Sequence, residues 1–154
     1  NKVVDTIINH HPYDEPNYFI HENNVKSREV GSGMVGLRDI DFDSLIKEVK
    51  NKFNCGSIKY TPIINKKVKK IAVCGGSGSF LIKDAISNGA DVFITSDFKY
   101  HDFFEANDQI TLVDIGHYES EQFTKDLIFE FLNKNLINIA LHLSNENTNP
   151  IKYF

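Results

Sequence analysis

Apolar residues in the second half of the chain fall into short continuous runs that alternate with longer stretches of helical spacing. The short runs are typical of strands buried on both faces, and the helical stretches place their apolar residues on one side. The predicted strands are residues 71–74, 91–95, 110–115 and 137–143, and the predicted helices between them are 80–87, 98–106 and 119–133. In the last helix, the shared apolar face of Phe123, Leu127, Ile128 and Phe131 predicts that it covers the sheet.

The first third of the chain is less regular. A helix is predicted over residues 2–10, where Pro12 ends the pattern, and it starts so abruptly that we expect a chain cut from something longer. A strand at 18–22, a loop at 23–29, a glycine-rich strand at 31–37, a helix from Asp41 or Asp43 to Phe53 and a strand at 57–61 follow. The lysines at 66, 67, 69 and 70 are interpreted as a solvated connection.

Strands that alternate with helices of this length require crossover connections. The pattern therefore predicts an α/β fold with a mostly parallel sheet and helices on both faces. Ligands of such sheets bind beyond the carboxyl ends of the strands. The turns that follow each strand are accordingly the places to look for chemistry.

Composition narrows the class of protein. The 154 residues suit one main domain, and 41% apolar with 25% charged residues exclude a disordered or collagen-like chain. A net charge of -4 disfavours nucleic acid as a partner. Two isolated cysteines, no apolar run of membrane-spanning length and no leader-like start predict a cytoplasmic protein without a membrane partner.

The turn from Cys74 to Ser79 contains three glycines. It lacks the lysine of a P-loop and the third glycine of a dinucleotide fingerprint. Three interpretations stay open: a tight turn packed near a site, backbone N–H groups that contact an anion, and a nucleophilic Ser77.

The turn after the next strand carries Asp97 and, four residues later, His101. Asp97 fits a helix cap. On a helix the two side chains would share one face, where they could orient metal ligands or transfer protons. Both roles are hypotheses for this pair.

The turn after residues 110–115 is the richest in candidate ligands. His117 and Glu121 lie four residues apart, so a helix presents an imidazole and a carboxylate to one point, as a metal ion requires. Glu119 and Glu121 also suit the first turn of a helix for electrostatic reasons alone, and that alternative stays open. Two ligands do not complete a catalytic metal site, so further ligands must come from elsewhere.

Four ordered motifs, AVCGGSGS, ITSDFKYHD, LVDIGHYESE and NTNP, together resemble the C-terminal half of the GTP cyclohydrolase type 2 homologues, also called NGG-one-interacting-factor-three-like proteins. The run GSGMVG resembles the glycine-rich strand that opens that half. HPYDEPNYFI resembles the tail of an inserted PII-like domain, so His10 and His11 are not matched to the family's histidine pair. The resemblance divides the chain into residues 1–29, the insert tail, and residues 30–154, the C-terminal α/β domain.

The resemblance implies a two-domain fold that binds two divalent ions per full-length subunit, of zinc, manganese, iron or magnesium, and assembles as a hexamer. His117 and Glu121 match the family's GHY-x-x-E ligands, and the other half supplies the remaining ligands, so the site in this chain is incomplete. The implied function is a metal-dependent hydrolase acting on a nucleotide-like small molecule. The alternative is a non-enzymatic oligomeric metal-binding scaffold or regulator.

This sequence departs from the family pattern at two positions. Ser96 stands where the family has Gly, which is tolerable unless that position needs a positive φ. Met34 replaces an Arg common among members and weakens any anion site on the glycine-rich strand.

Overall fold

A five-stranded sheet with helices packed on both faces forms the main body of the chain, in a computed structural model that describes residues 2–13, 15–20 and 31–154. The strands are β1 (Met34–Asp41), β2 (Lys59–Tyr60), β3 (Lys67–Ser77), β4 (Val92–Ser96) and β5 (Thr111–Asp114). The α-helices are α1 (Lys2–His10), α2 (Phe42–Lys52), α3 (Ile82–Ser87), α4 (His117–Glu121) and α5 (Thr124–Asn135), and 3-10 helices span Ser79–Leu81 and Asp102–Ala106.

The sheet is mixed, which corrects the prediction of a mostly parallel one. The strand order is β1-β3-β4-β5-β2, and only the two inner pairings, β3 with β4 and β4 with β5, are parallel. Both outer pairings are antiparallel. The regular alternation of strands and helices covers only the three inner strands, so it does not determine the direction of the edge strands.

The inner strands are buried on both faces, as their continuous apolar runs predicted. Phe93 and Leu112 point into one core layer, which α3 and the second 3-10 helix cover. Val92 and Val113 point into the other layer, which α2 covers through Phe42, Leu45 and Val49. This two-sided packing fixes the three parallel strands and the turns that leave their carboxyl ends.

The lysine cluster lies on a strand, not on a connection. Lys67, Lys69 and Lys70 belong to β3, and Lys67 pairs with Asp41 of β1. The backbone N–H groups of Lys69 and Lys70 also donate hydrogen bonds of 2.8 and 2.9 Å to Asp91 Oδ2. These long-range bonds, together with the pairing with β1, hold a polar segment within the strand. A hydropathy pattern does not reveal such bonds.

Replacing Asp91 by alanine is expected to lower the free energy of unfolding by about 2 kcal/mol, because three hydrogen bonds to one carboxylate are lost. Asn65 supplies the third, at 2.8 Å from Oδ1. Burial raises the pKa of Asp91, but these three hydrogen bonds outweigh it and hold the pKa below the ordinary 3.8. The contribution is therefore fully present above pH 3.8 and is lost as the pH falls through the lower folded-state pKa.

Urea denaturation at pH 7 and along a descending pH series measures this difference. Asp39→Ala, which removes an exposed carboxylate from β1, serves as the matched control. Equal stability of Asp91→Ala and Asp39→Ala at pH 7 would contradict the prediction.

Two predictions about the end of the chain are wrong. Residues 137–143 form no strand, and Ile137 and Ile139 are exposed. Helix α5 has no buried residue, and the residues of the predicted apolar face are exposed, namely Phe123 just before the helix and Leu127, Ile128 and Phe131 within it. The reason is that a strand needs a hydrogen-bonded neighbour and an apolar helix face needs a surface to cover, and the sheet described here provides neither to these residues.

Residues Asn1–Val30 form a separate unit. Helix α1 confirms the predicted helix, and none of its residues is buried. Tyr18–Ile20 lie outside any helix or strand, and the rest of the strand predicted at 18–22 and the loop predicted at 23–29 fall outside the described residues. Within the described ranges, no helix has both the length and the apolarity to cross a bilayer.

Candidate metal centre

Two turns at the carboxyl edge of the sheet bring Asp97 and His117 into contact. Asp97 follows β4 directly, and His117 follows β5 after two residues. Oδ2 of Asp97 lies 2.5 Å from Nδ1 of His117. Because β4 and β5 run parallel, their ends meet at one edge, and residues twenty positions apart become neighbours.

Helix α4 places Glu121 beside His117. The helix starts at His117 after Gly116, whose φ of 93° suits glycine. Nε2 of His117 lies 3.1 Å from Oε2 of Glu121, and both side chains are about half exposed. The four-residue spacing therefore converges as the sequence predicted, with the imidazole between two carboxylates.

The two carboxylates raise the pKa of His117. The hydrogen bond that His117 Nδ1 donates to Asp97 is the main cause that raises the pKa of this imidazole, burial opposes it, and the charges of Asp97 and Glu121 raise the pKa further. A metal ion would compete with a proton for Nε2, because metal binding requires the unprotonated ring nitrogen. The bond at Nδ1 fixes the ring orientation, which is the usual role of a carboxylate behind a metal-binding histidine.

Gly76 lies directly against the side chains of His117 and Glu121, and we call it the floor of the candidate site. Its φ is +65°, and a Cβ on it would lie 2.3 Å from Oε1 of Glu121 and 3.5 Å from Cε1 of His117. Its N–H donates to Oγ of Ser120 at 2.8 Å, so that N–H is not free for an anion. At Gly76 the turn is tightly packed, in agreement with the first of the three interpretations. Ser77, the nucleophile candidate, ends β3 opposite Ser96.

Ser96 fits its position without strain. It is fully buried in β4, and it is not among the residues with positive φ. Its hydroxyl donates to the carbonyl of Gly76 at 2.5 Å, beside a second hydroxyl donor, Thr95, at 3.0 Å. The Ser96 hydroxyl therefore helps to hold the backbone of Gly76 in place.

The ring of His101 packs against aromatic side chains of its own segment. The predicted helix over 98–106 is reduced to the 3-10 helix at Asp102–Ala106, so Asp97 and His101 do not share a helix face. Asp97 has a φ of 60°, and Asp102 Oδ2 accepts a hydrogen bond from the Lys99 N–H, which makes a turn there. The ring of His101 instead contacts Tyr100 and Phe104, at centroid distances of 5.4 and 6.4 Å.

The hydropathy pattern did not single out Glu119 as a buried residue. Its side chain is 3% exposed, although it lies in the run GHYESE, whose polar residues are typical of the first turn of a helix. Oε1 accepts a hydrogen bond of 3.0 Å from the hydroxyl of Tyr153. Burial and then this contact with Glu119 raise the pKa of Tyr153 to about 12, so its hydroxyl stays protonated in the neutral range. The one sequence feature related to this packing is Gly116, the glycine of the motif, on which a Cβ would collide with Glu119.

A cavity of about 480 Å³ opens beside His117 and Glu121. Its other walls come from Tyr118, Gln122, Lys125, Glu146 and the stretch from Thr148 to Ile151. A small molecule therefore has room next to the candidate ligands.

The donor set fits half of a metal site. Among residues 2–13, 15–20 and 31–154, no group of three or more His, Cys, Asp or Glu side chains is placed to hold a metal ion. His117 Nε2 and a Glu121 oxygen are two suitable donors on one face, and Asp97 supports the ring from behind. His10 and His11 lie in the other unit, where a ring nitrogen of His10 contacts the carbonyl of Thr6 at 2.9 Å.

Comparison with known proteins gives a consistent result. Residues 14–150 match the family described as Duf34/NIF3 (NGG1p interacting factor 3). A GTP cyclohydrolase 1 type 2 homolog of Staphylococcus epidermidis is 37% identical over 155 residues, and a Staphylococcus aureus protein of the same name is 33% identical over 160. These alignments cover 96% and 99% of this chain but 42% and 43% of the relatives, so the chain spans less than half their length.

Solved structures agree with the sequence relatives. A crystal structure of a Staphylococcus aureus protein, 30% identical, superposes with a TM-score of 0.70 over 99% of this chain and 45% of that one. A Bacillus cereus protein related to NIF3, 27% identical, gives 0.70 over 99% and 44%. The motifs, the mixed α/β fold and these relatives together place the chain in the Duf34/NIF3 family, that of the GTP cyclohydrolase type 2 homologues.

Proposed function

We propose that His117 and Glu121 are ligands of a dinuclear metal centre in a metal-dependent hydrolase that acts on a nucleotide-like small molecule. The observation that carries the proposal is the convergence of His117 Nε2 and Glu121 Oε2, 3.1 Å apart, at the carboxyl edge of the sheet with Asp97 bonded to Nδ1. This arrangement has the two parts of a metal-binding histidine, a ring nitrogen directed at a second ligand and a carboxylate that orients the ring.

Each residue of the cluster has a role in this proposal. His117 and Glu121 bind, Asp97 orients the imidazole, and Gly76 leaves the space that Glu121 occupies. Two donors are fewer than a catalytic site requires, so the other ligands come from another part of the full-length protein. When bound, two divalent ions would polarise the substrate and lower the pKa of a water molecule.

The substrate class rests on the cavity and on the relatives' names. The space beside the ligands is about 480 Å³, which suits a small molecule, and Lys125 on its wall is the residue we propose to face an anionic group. The relatives are named as GTP cyclohydrolase homologues, so GTP is one candidate. We extend the proposal to a cytoplasmic homo-oligomer, a hexamer, in which residues 1–29 are the tail of a PII-like insert.

Titration of Zn²⁺, Mn²⁺, Fe²⁺ and Mg²⁺ into the full-length protein tests the metal centre. The expected result is tight binding of two ions per subunit by at least one of these metals. Asp97→Asn is expected to weaken that binding about 10- to 100-fold, because the orienting carboxylate loses its charge. Competition with a chromogenic chelator measures the change. A full-length protein that binds none of the four metals would overturn the proposal.

A panel of nucleotides incubated with the metal-loaded protein then tests the hydrolase. Turnover of one nucleotide that stops when the metal is removed is the expected outcome. Tight metal binding without turnover of any nucleotide would favour the alternative, a non-enzymatic metal-binding scaffold or regulator.

A further inference from the structure

Glu119 lies on the side of α4 opposite to His117 and Glu121. Residues two positions apart on a helix point about 200° apart, and the burial of Glu119 agrees with this geometry. Oε1 accepts hydrogen bonds from the hydroxyl of Tyr153, at 3.0 Å, and from Nδ2 of Asn149, at 3.4 Å. Oε2 is buried without a hydrogen-bond partner. The carboxylate is therefore held in place mainly by the segment that carries Asn149 and Tyr153.

Two glycines make room for these contacts. A Cβ on Gly116 would lie 2.2 Å from Glu119 Oε2, and a Cβ on Gly56 would lie 2.0 Å from the nearest atom of the Tyr153 ring. Neither position accepts a side chain while these contacts persist. Tyr153 thus packs directly on backbone, with its hydroxyl directed at Glu119.

Residues 148–153, called the strap below, also form one wall of the cavity beside the candidate ligands. Thr148, Asn149, Pro150 and Ile151 line that cavity together with His117 and Glu121. The strap is locally ordered, since Oδ1 of Asn149 accepts a hydrogen bond of 3.0 Å from the N–H of Ile151. Glu119 is consequently hydrogen-bonded to Asn149 and Tyr153 of the strap, which faces His117 and Glu121 across the cavity. Glu119 also belongs to the same helix as those two residues.

We propose that Glu119 is a positioning residue, which through Tyr153 and Asn149 locks the strap against α4 and so fixes both the orientation of the His117–Glu121 pair and the wall of its cavity. This inference rests on the metal centre proposed above. It assigns a function to the buried carboxylate of the GHYESE run, distinct from that of its two exposed neighbours.

The experiment uses the full-length protein with Tyr153→Phe, Glu119→Ala and Glu119→Gln, and with Tyr100→Phe as the matched control at an exposed tyrosine. Amide hydrogen exchange of the strap and Zn²⁺ affinity by chelator competition are measured on each. Tyr153→Phe should speed exchange of the Ile151 N–H, which is bonded to Asn149, about tenfold, which corresponds to one hydrogen bond. Glu119→Ala should weaken Zn²⁺ binding about tenfold, and Glu119→Gln, which keeps an acceptor oxygen, should restore most of it.

The outcomes separate this inference from the proposed metal centre. A wild-type protein that binds no Zn²⁺ or other divalent ion refutes the metal centre. Wild-type binding with unchanged affinity in Glu119→Ala and Tyr153→Phe refutes the positioning role. Unchanged amide hydrogen exchange of the strap in Tyr153→Phe refutes the proposal that Tyr153 holds the strap against α4. This measurement remains valid if Glu119→Ala fails to fold.

Discussion

Replacing His117 or Glu121 by alanine in the full-length protein is expected to abolish metal retention while leaving the fold intact. Each change removes a direct metal ligand. The loss of metal affinity should therefore exceed the loss of about 10- to 100-fold that is typical when a residue that only orients a ligand is replaced. Both side chains are about half exposed, so the free energy of unfolding, compared between the metal-free proteins, should change by no more than about 0.5 kcal/mol. Metal analysis after dialysis, together with urea denaturation, measures both effects.

Glu146→Ala is the matched control for this prediction, because it removes a carboxylate from another wall of the same cavity. It should leave metal content unchanged. Full metal occupancy in a His117→Ala, Glu121→Ala double variant would mean that the centre lies elsewhere.

Replacing Gly76 by alanine is expected to cause nearly as large a loss of metal, although Gly76 contributes no ligand. The added Cβ would lie 2.3 Å from Oε1 of Glu121, which therefore has to move. The φ of +65° costs an alanine a further 1 kcal/mol or so of stability, since L-residues rarely adopt it. Metal content and urea denaturation of the full-length variant should thus show strong loss of binding with modest destabilisation.

Gly75→Ala provides the control within the same turn. Gly75 has no positive φ, and the nearest atom to its added Cβ would be the Ser120 carbonyl oxygen at 3.9 Å. It should keep both metal and stability. Equal metal binding by Gly76→Ala and Gly75→Ala would show that the close approach of Gly76 to Glu121 does not affect metal binding.

Much of the candidate site follows from local rules. The four-residue spacing of His117 and Glu121 needs only a helix, and α4 provides it. The position of Asp97 at the carboxyl edge needs only parallel inner strands, which the apolar runs predicted. The contact between Asp97 and His117, by contrast, joins the turn after β4 to the start of α4, and no local sequence pattern contains it.

Two further predictions that did not hold needed a partner surface. The strand over 137–143 and the buried face of α5 were inferred from apolar spacing alone, yet Ile139 and Phe131 are exposed. Spacing shows that a surface is apolar, but burial also requires an apposed element. The helix over 98–106 was inferred in the same way, and the hydrogen bond from Lys99 N–H to Asp102 replaces its first turn.

The sequence alone determined the family, the three inner strands, the helix α2 and the pair His117–Glu121, because each depends on short-range periodicity or on an ordered motif. The tertiary structure decided the antiparallel edges, the Gly76 floor, the pairing of Asp97 with His117 and the burial of Glu119 under Tyr153. The physical reason is that each of these depends on contacts between residues distant along the chain. Their distances are set by how the sheet, the glycine turns and the strap pack together, which no local pattern contains.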